Sequence, residues 1–280
     1  MDINDHLVDR MKYDDSQGYY ANADSPENPV EFTYVFQFDN VEVTYCYSKD
    51  KLRNLLSETF SVNQDLVFSY DFLTNEKEIS TNEEYGLQTL NWEFQDRGIS
   101  ILRYIANNTK LAANSPIRQV VHFVSGMLWF RSLGGNNNFV GFPPVVEDML
   151  GYIIRNGLVG EFEQFINQHG VAEKIKVIEE LPGKKGLYFD HKNPVPFALA
   201  SSGTTALIAL YYWYKHFREA TFIIIDEFDA FYHFELAEKV VKLLIDTVAV
   251  QAILTSHNTN LLTNRMMRAD CYFNLHGCEG

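Results

Sequence analysis

Cysteine is scarce: the 280-residue chain holds three, Cys46, Cys271 and Cys278. They stand at no metal-ligand spacing, and so odd and sparse a set excludes a disulfide framework and fits a reducing compartment. Excess positive charge is also lacking. Lys and Arg number 23 against 37 Asp and Glu, a formal net charge of -14. That balance argues against a basic nucleic-acid groove over the whole chain and leaves nucleic acid as a partner only through a local patch. No apolar run approaches membrane length, and Met1 is followed by Asp2, Asn4 and Asp5 rather than by a basic and then apolar leader. There is no internal repeat and no low-complexity segment. A cytoplasmic protein with no membrane partner is expected.

What is present is a large apolar fraction, 46%, enough for a substantial core in one large domain or two small ones. Residues 1–30 are polar and acidic and read as a loop. Period two then sets in: Phe32, Tyr34, Phe36 and Phe38 alternate with polar residues, Asp39-Asn40 makes a turn, and Val41, Val43, Tyr45 and Tyr47 alternate again. This predicts a hairpin with an aromatic face. Strands are expected near Leu56 to Val62 and Leu66 to Tyr70, and a charged loop from Glu76 to Glu84. The middle reads as helices. One starts at Ile99. A second is opened by Pro116 and carries Val120, Val121, Val124, Met127 and Leu128 inward as far as the Gly134-Gly135 and Asn136 to Asn138 loop. Two more cover Val146 to Ile154 and Glu161 to Ile166. The last third alternates: strands at Leu187 to Asp190, Phe222 to Asp226, Val250 to Leu254 and Cys271 to Phe273, with helices at Thr204 to Phe217, Phe234 to Asp246 and Leu261 to Met267. Such alternation predicts a parallel sheet with helical crossovers, with Phe222 to Ile225 central.

The chemistry concentrates there. The run TFIIIDEFDA, Thr221 to Ala230, is a doubly buried strand type that ends in two adjacent carboxylates, Asp226 and Glu227. Buried strands rarely end so, because unpaired carboxylates are costly unless a metal, water or ligand meets them. One reading gives Asp226 to Mg²⁺ and Glu227 to an attacking water. The other is an acidic helix N-terminus favoured by the dipole. Ser201-Ser202-Gly203 precedes a helix and offers either an anion-binding N-terminus or an ordinary cap. Thr255-Ser256-His257 follows the next strand, where His257 suits a γ-phosphate or an attacking water. It is equally open to an ordinary loop reading.

Taken together and in that order, these motifs resemble the ABC-class ATPases, in the branch of the SMC, RecF and OLD proteins. The resemblance covers Phe197 to Phe273. It matches Ser201, Ser202 and Gly203 to the signature motif, with Ala200 and Thr204 departing from its usual residues. It matches Phe222 to Glu227 to Walker B, His257 to the switch histidine, and Phe228 to His233 to the D-loop, which singles out His233. The implied fold is a P-loop NTPase-like ABC ATPase head: an α/β parallel sheet with an antiparallel side sheet in residues 1–96, a helical insertion in 97–182 and a C-terminal ATPase lobe in 183–280. The implied cofactors are ATP and Mg²⁺. Asp226 would hold the metal, Glu227 and His257 would be catalytic, and Ser201, Ser202 and Gly203 would act in trans on nucleotide held by a second subunit. A homodimer or higher homo-oligomer through the heads follows, and OLD-like relatives add phage defence alongside an effector nuclease. The G-x-x-x-x-G-K-S/T phosphate loop of the family is not in the sequence; its nearest counterpart is Pro182 to Gly186. The resemblance places that loop upstream of the side sheet, so a truncated chain is expected in preference to a natural half-site. The rival reading is a degenerate, non-hydrolysing head that serves as a protein-interaction module.

Overall fold

A computed structural model describes residues 3, 6, 7, 24–93, 96–131, 138–140, 148–247, 250–263 and 265–275. Most of the acidic N-terminal stretch, the Gly134 to Asn137 loop and Cys278 lie outside the described residues. The chain divides into two compact units, Met1–Gly126 and Met127–Gly280.

The first unit is built on an antiparallel sheet of five strands in sequential order. These are β1 (Val30–Phe38), β2 (Val41–Lys49), β3 (Leu55–Val62), β4 (Asp65–Asp71) and β5 (Lys77–Ile79). The expected hairpin is there: Phe38 pairs with Val41 across a two-residue turn, and Asp39 adopts a left-handed φ of 49°. Turns of this kind match the twist of the strands they join. On β1, Phe32, Tyr34, Phe36 and Phe38 face inward while Glu31, Thr33, Val35 and Gln37 are exposed. The charged stretch expected as a loop contains β5, which adds itself to β4 at the sheet edge.

Two helices, α1 (Ile101–Asn108) and α2 (Pro116–Ser125), complete this unit. The start of α1 is held from the sheet. Glu58, fully buried on β3, accepts hydrogen bonds from the Ile101 and Leu102 N–H groups, the Ser100 hydroxyl and the Tyr45 hydroxyl at 2.8 to 2.9 Å. A carboxylate at this position meets the positive end of the helix and satisfies its otherwise unpaired donors.

The second unit contains a mixed sheet in the order β12-β11-β6-β7. Its strands are β6 (Met127–Arg131), β7 (Asn138–Val140), β11 (Phe222–Asp226) and β12 (Gln251–Leu254). As expected, β11 is central; it pairs in parallel with β6 on one side and β12 on the other. The strand β6 corrects the expectation of a helix running through Met127 and Leu128. The helix stops where the Gly126 N–H returns to the carbonyls of His122 and Phe123, and a fresh apolar run begins. A short buried strand and a buried helix segment share that run, so periodicity could not separate them.

A second correction concerns Leu187. Its strand, β9 (Lys184–Phe189), does not join the parallel sheet but lies antiparallel between β8 (Ile175–Leu181) and β10 (Val195–Pro196). Of the Pro182 to Gly186 stretch, Pro182 and Gly183 form the tight turn of the β8–β9 hairpin, with Gly183 at a φ of 80°, and Lys184 to Gly186 already belong to β9. A third correction removes the last strand. Ala269–Cys271 is a 3₁₀ turn beside the Arg268–Asp270 ion pair, and Phe273 is exposed. Likewise, the helix expected from Leu261 is reduced to a 3₁₀ turn at Thr259–Leu261.

The helices α3 (Met149–Arg155), α4 (Val159–Gln168), α5 (Ser202–Tyr214) and α6 (Phe234–Thr247) belong to this second unit. Every residue of α5 from Ala206 to Trp213 is buried. A helix that is apolar all round belongs inside the core, and Trp213 meets Phe130 of β6 edge to face at 5.7 Å. The amphipathic α6 buries Leu236, Ala237, Val240, Val241 and Leu244 in the same cluster. The sheet edge carrying the acidic pair is thus held by core packing.

Candidate functional site

The site grows from the end of β11. Ile223 and Ile225 are buried, and the chain then leaves the sheet at Asp226 and Glu227. Glu227 takes a left-handed φ of 51°, which costs a residue with a Cβ about 1–2 kcal/mol and is kept only when surrounding contacts enforce it. Those contacts come from Thr255, the first residue past β12. Its N–H donates to the Ile225 carbonyl at 3.0 Å, and its carbonyl accepts from the Phe228 N–H at 3.1 Å. Its hydroxyl accepts from the Glu227 N–H at 2.7 Å and donates to Asp226 Oδ1 at 2.7 Å. One threonine therefore fixes the backbone of one acid and a carboxylate oxygen of the other.

His257 lies two residues further on. Its Nε2 is 3.2 Å from Glu227 Oε1. The Glu227 side chain is 31% exposed and that of His257 is 90% exposed. So open a contact contributes little to stability, and the exposed imidazole is accessible to a ligand at this edge. Asp226, Glu227 and His257 are thus brought together on one side of the sheet.

The other motif residues are placed as follows. Ser201 is the N-cap of α5: its Oγ accepts from the Thr204 N–H at 3.2 Å and lies 3.0 Å from the Thr204 hydroxyl. This is ordinary capping chemistry. Ser202 opens the helix and is exposed. Gly203 lies against the turn that follows the acidic pair, since a Cβ there would come within 3.2 Å of the Phe231 carbonyl oxygen. His233 is exposed at the start of α6, where its carbonyl accepts from the Leu236 and Ala237 N–H groups. Among the described residues, no hydrogen bond joins Ser201, Ser202 or His233 to Asp226, Glu227 or His257.

Sequence reasoning gave Thr255 no role of its own. Its importance depends on the pairing of β11 with β12, which sets Ile225 opposite Leu254. The only cue in the sequence was a hydroxyl residue directly after a strand.

The donor set suits magnesium. That ion is held by one or two carboxylates, with waters and phosphate oxygens completing its shell. Among the described residues, no group of three or more His, Cys, Asp or Glu side chains forms a self-sufficient metal cage. A cation at Asp226 would therefore take part of its coordination from a ligand's phosphates.

Three solved structures bear some likeness to the chain. An SMC head bound to the C-terminal winged-helix domain of ScpA is 14% identical over 82% of this chain and 67% of its own, with a TM-score of 0.38. The SMC head domain from Thermotoga maritima is 15% identical over 84% and 65%, with a TM-score of 0.35. An SMC head with an extended coiled coil from Pyrococcus furiosus, bound to the C-terminal domain of ScpA, is 18% identical over 38% and 30%, with a TM-score of 0.30. The chain thus spans about two thirds or less of the length of these structures. No curated protein matches it significantly. The family described as "AAA domain, putative AbiEii toxin, Type IV TA system" matches residues 5–263. With nearly the whole length matched and an acidic pair set at the end of a strand paired in parallel on both sides, the chain belongs to this family of AAA domains.

Proposed function

We propose that the chain hydrolyses ATP as an ABC-class head and that Asp226, Glu227 and His257 form its hydrolytic edge. The observation that carries this reading is the 3.2 Å contact between His257 and Glu227, beside an Asp226 fixed by Thr255. In this reading Asp226 is the Mg²⁺ ligand. When bound, that ion neutralises charge on the phosphate oxygens. Glu227 accepts the proton of the attacking water. His257 exchanges its contact with Glu227 for one with the γ-phosphate. Phosphoryl transfer needs chiefly positioning and electrostatic stabilisation, so a site assembled from two chains is physically sound.

Ser201, Ser202 and Gly203 would then close on nucleotide held by a second subunit, and His233 would lie in the segment facing that subunit. The exposure of Ser202 and His233 supports this, and Ser201 is exposed as well although its hydroxyl caps α5. A homodimer through the heads, an OLD-like role in phage defence and an effector nuclease as partner belong to the same proposal. So do the side sheet at 1–96, the insertion at 97–182 and the ATPase lobe at 183–280. Two of the similar SMC heads are bound to domains of ScpA, and a protein partner is proposed for this chain as well. Among the described residues, no helix is long and apolar enough to cross a membrane.

The test is Mg²⁺-dependent ATP binding by the protein together with a G-x-x-x-x-G-K-S/T loop, in the wild type and in Asp226→Asn. Loss of Mg²⁺-dependent ATP binding in the variant supports the assignment. Unchanged Mg²⁺ dependence would overturn it and favour the degenerate interaction module.

A further inference from the structure

The first unit carries a cleft of about 360 Å³ between the end of α1 and one face of α2. Thr109, Lys110 and Leu111 form one wall, and Arg118, Val121 and His122 form the other. The last three stand at i, i+3 and i+4 and so share a helix face. No carboxylate lines the cleft. Lys110, Arg118 and His122 are exposed, and among the described residues their side chains make no ion pair or hydrogen bond. Thr109 is half-buried where α1 ends. In a chain of net charge -14, two cations without a carboxylate neighbour around one concavity make a local positive site.

We propose that this cleft binds the phosphate group of a small phosphorylated ligand. Arg118 and Lys110 supply charge-assisted hydrogen bonds to the phosphate oxygens. His122 adds a ring nitrogen, and Leu111, Val121 and Ala106 give apolar surface for the body of the ligand. The volume lies at the lower end of the range for small-molecule sites, roughly 300–1,000 Å³. Overall charge favours a small ligand over a nucleic acid. A long polyanion would run out over the acidic surface, whereas a small one feels only charges within about one Debye length, ~8–10 Å.

The test is calorimetric titration of the full chain with inorganic pyrophosphate and with adenosine monophosphate, in EDTA and at about 0.1 M ionic strength. Without a divalent cation the acidic edge at Asp226 and Glu227 repels both probes, so failure here and failure of the proposed hydrolytic site are distinguishable. Saturable binding of either probe is expected. It should weaken tenfold or more in Lys110→Gln/Arg118→Gln, two exposed changes whose fold is checked by circular dichroism. It should hold within twofold in Asp226→Asn. The proposal is overturned by no binding of either probe, by equal binding to the double variant, by loss of binding in Asp226→Asn, or by a 20-base-pair duplex binding more tightly than both probes.

Discussion

Thr255 is the residue on which the site geometry turns. Its hydroxyl both accepts from the Glu227 N–H and donates to Asp226. Thr255→Val keeps the shape and removes both bonds, leaving a partly buried N–H unpaired. We expect a loss of about 1–3 kcal/mol in urea denaturation, with Glu227 released from its left-handed backbone. His257→Ala should behave differently. Its contact with Glu227 is open to solvent, so stability should change by less than about 1 kcal/mol, while hydrolysis falls. A His257→Ala variant as unstable as Thr255→Val would mean that the contact is structural. The acidic pair was legible from sequence because carboxylates stand out at the end of an apolar strand. Thr255 was not, because a threonine after a strand is common and its bonds depend on the neighbouring strand's register.

At the scale of elements, the join between β3 and α1 makes a pH-dependent prediction. Burial, followed by Lys49 and then Arg103, holds the His6 imidazole well below its ordinary value. Its Nε2 lies 2.7 Å from the Tyr45 hydroxyl, which donates to Glu58. A depressed histidine pKa gives stability that is present above the ordinary value of about 6.5 and is lost as pH falls. Glu58 has the opposite sign. Burial raises its carboxyl despite four donors, so its contribution is greatest in acid and declines as pH rises through the raised value. In thermal melts from pH 7.5 to 5, the wild type should therefore lose stability on acidification relative to His6→Phe, whose own slope keeps the Glu58 contribution. Persistence of the whole slope in that variant would assign it elsewhere. Glu58→Leu should destabilise the first unit by about 3 kcal/mol or more, because two backbone N–H groups and two hydroxyls lose their buried acceptor.

The β1–β2 hairpin was readable from local cues, an alternating aromatic face and a turn dipeptide. The strand β6 was not, since its place is set by a partner about ninety-five residues away along the chain, and only Gly126 marked the break. The partner strand of Leu187 was likewise hidden: alternation of strands and helices indicates a parallel sheet in general and does not say which strands enter it.

At the scale of the molecule, hydrolysis across two chains is the strongest consequence of the proposal. Ser202→Arg should leave nucleotide binding by its own chain intact and block hydrolysis in the partner's site. Mixing it with a chain disabled in the phosphate loop should restore one of the two sites. Absence of rescue from folded, dimeric variants would end the shared-site account. The two compact units give a further expectation. Unfolding followed by fluorescence and by circular dichroism should give non-coincident transitions.

The most direct test of the central claim is single-turnover hydrolysis by the protein together with a phosphate-binding loop, comparing wild type with Glu227→Gln. The amide keeps the shape of the side chain and cannot accept a proton. The account predicts that hydrolysis falls by about 10²–10⁴-fold while ATP binding stays within twofold. Turnover by Glu227→Gln at the wild-type rate would contradict it.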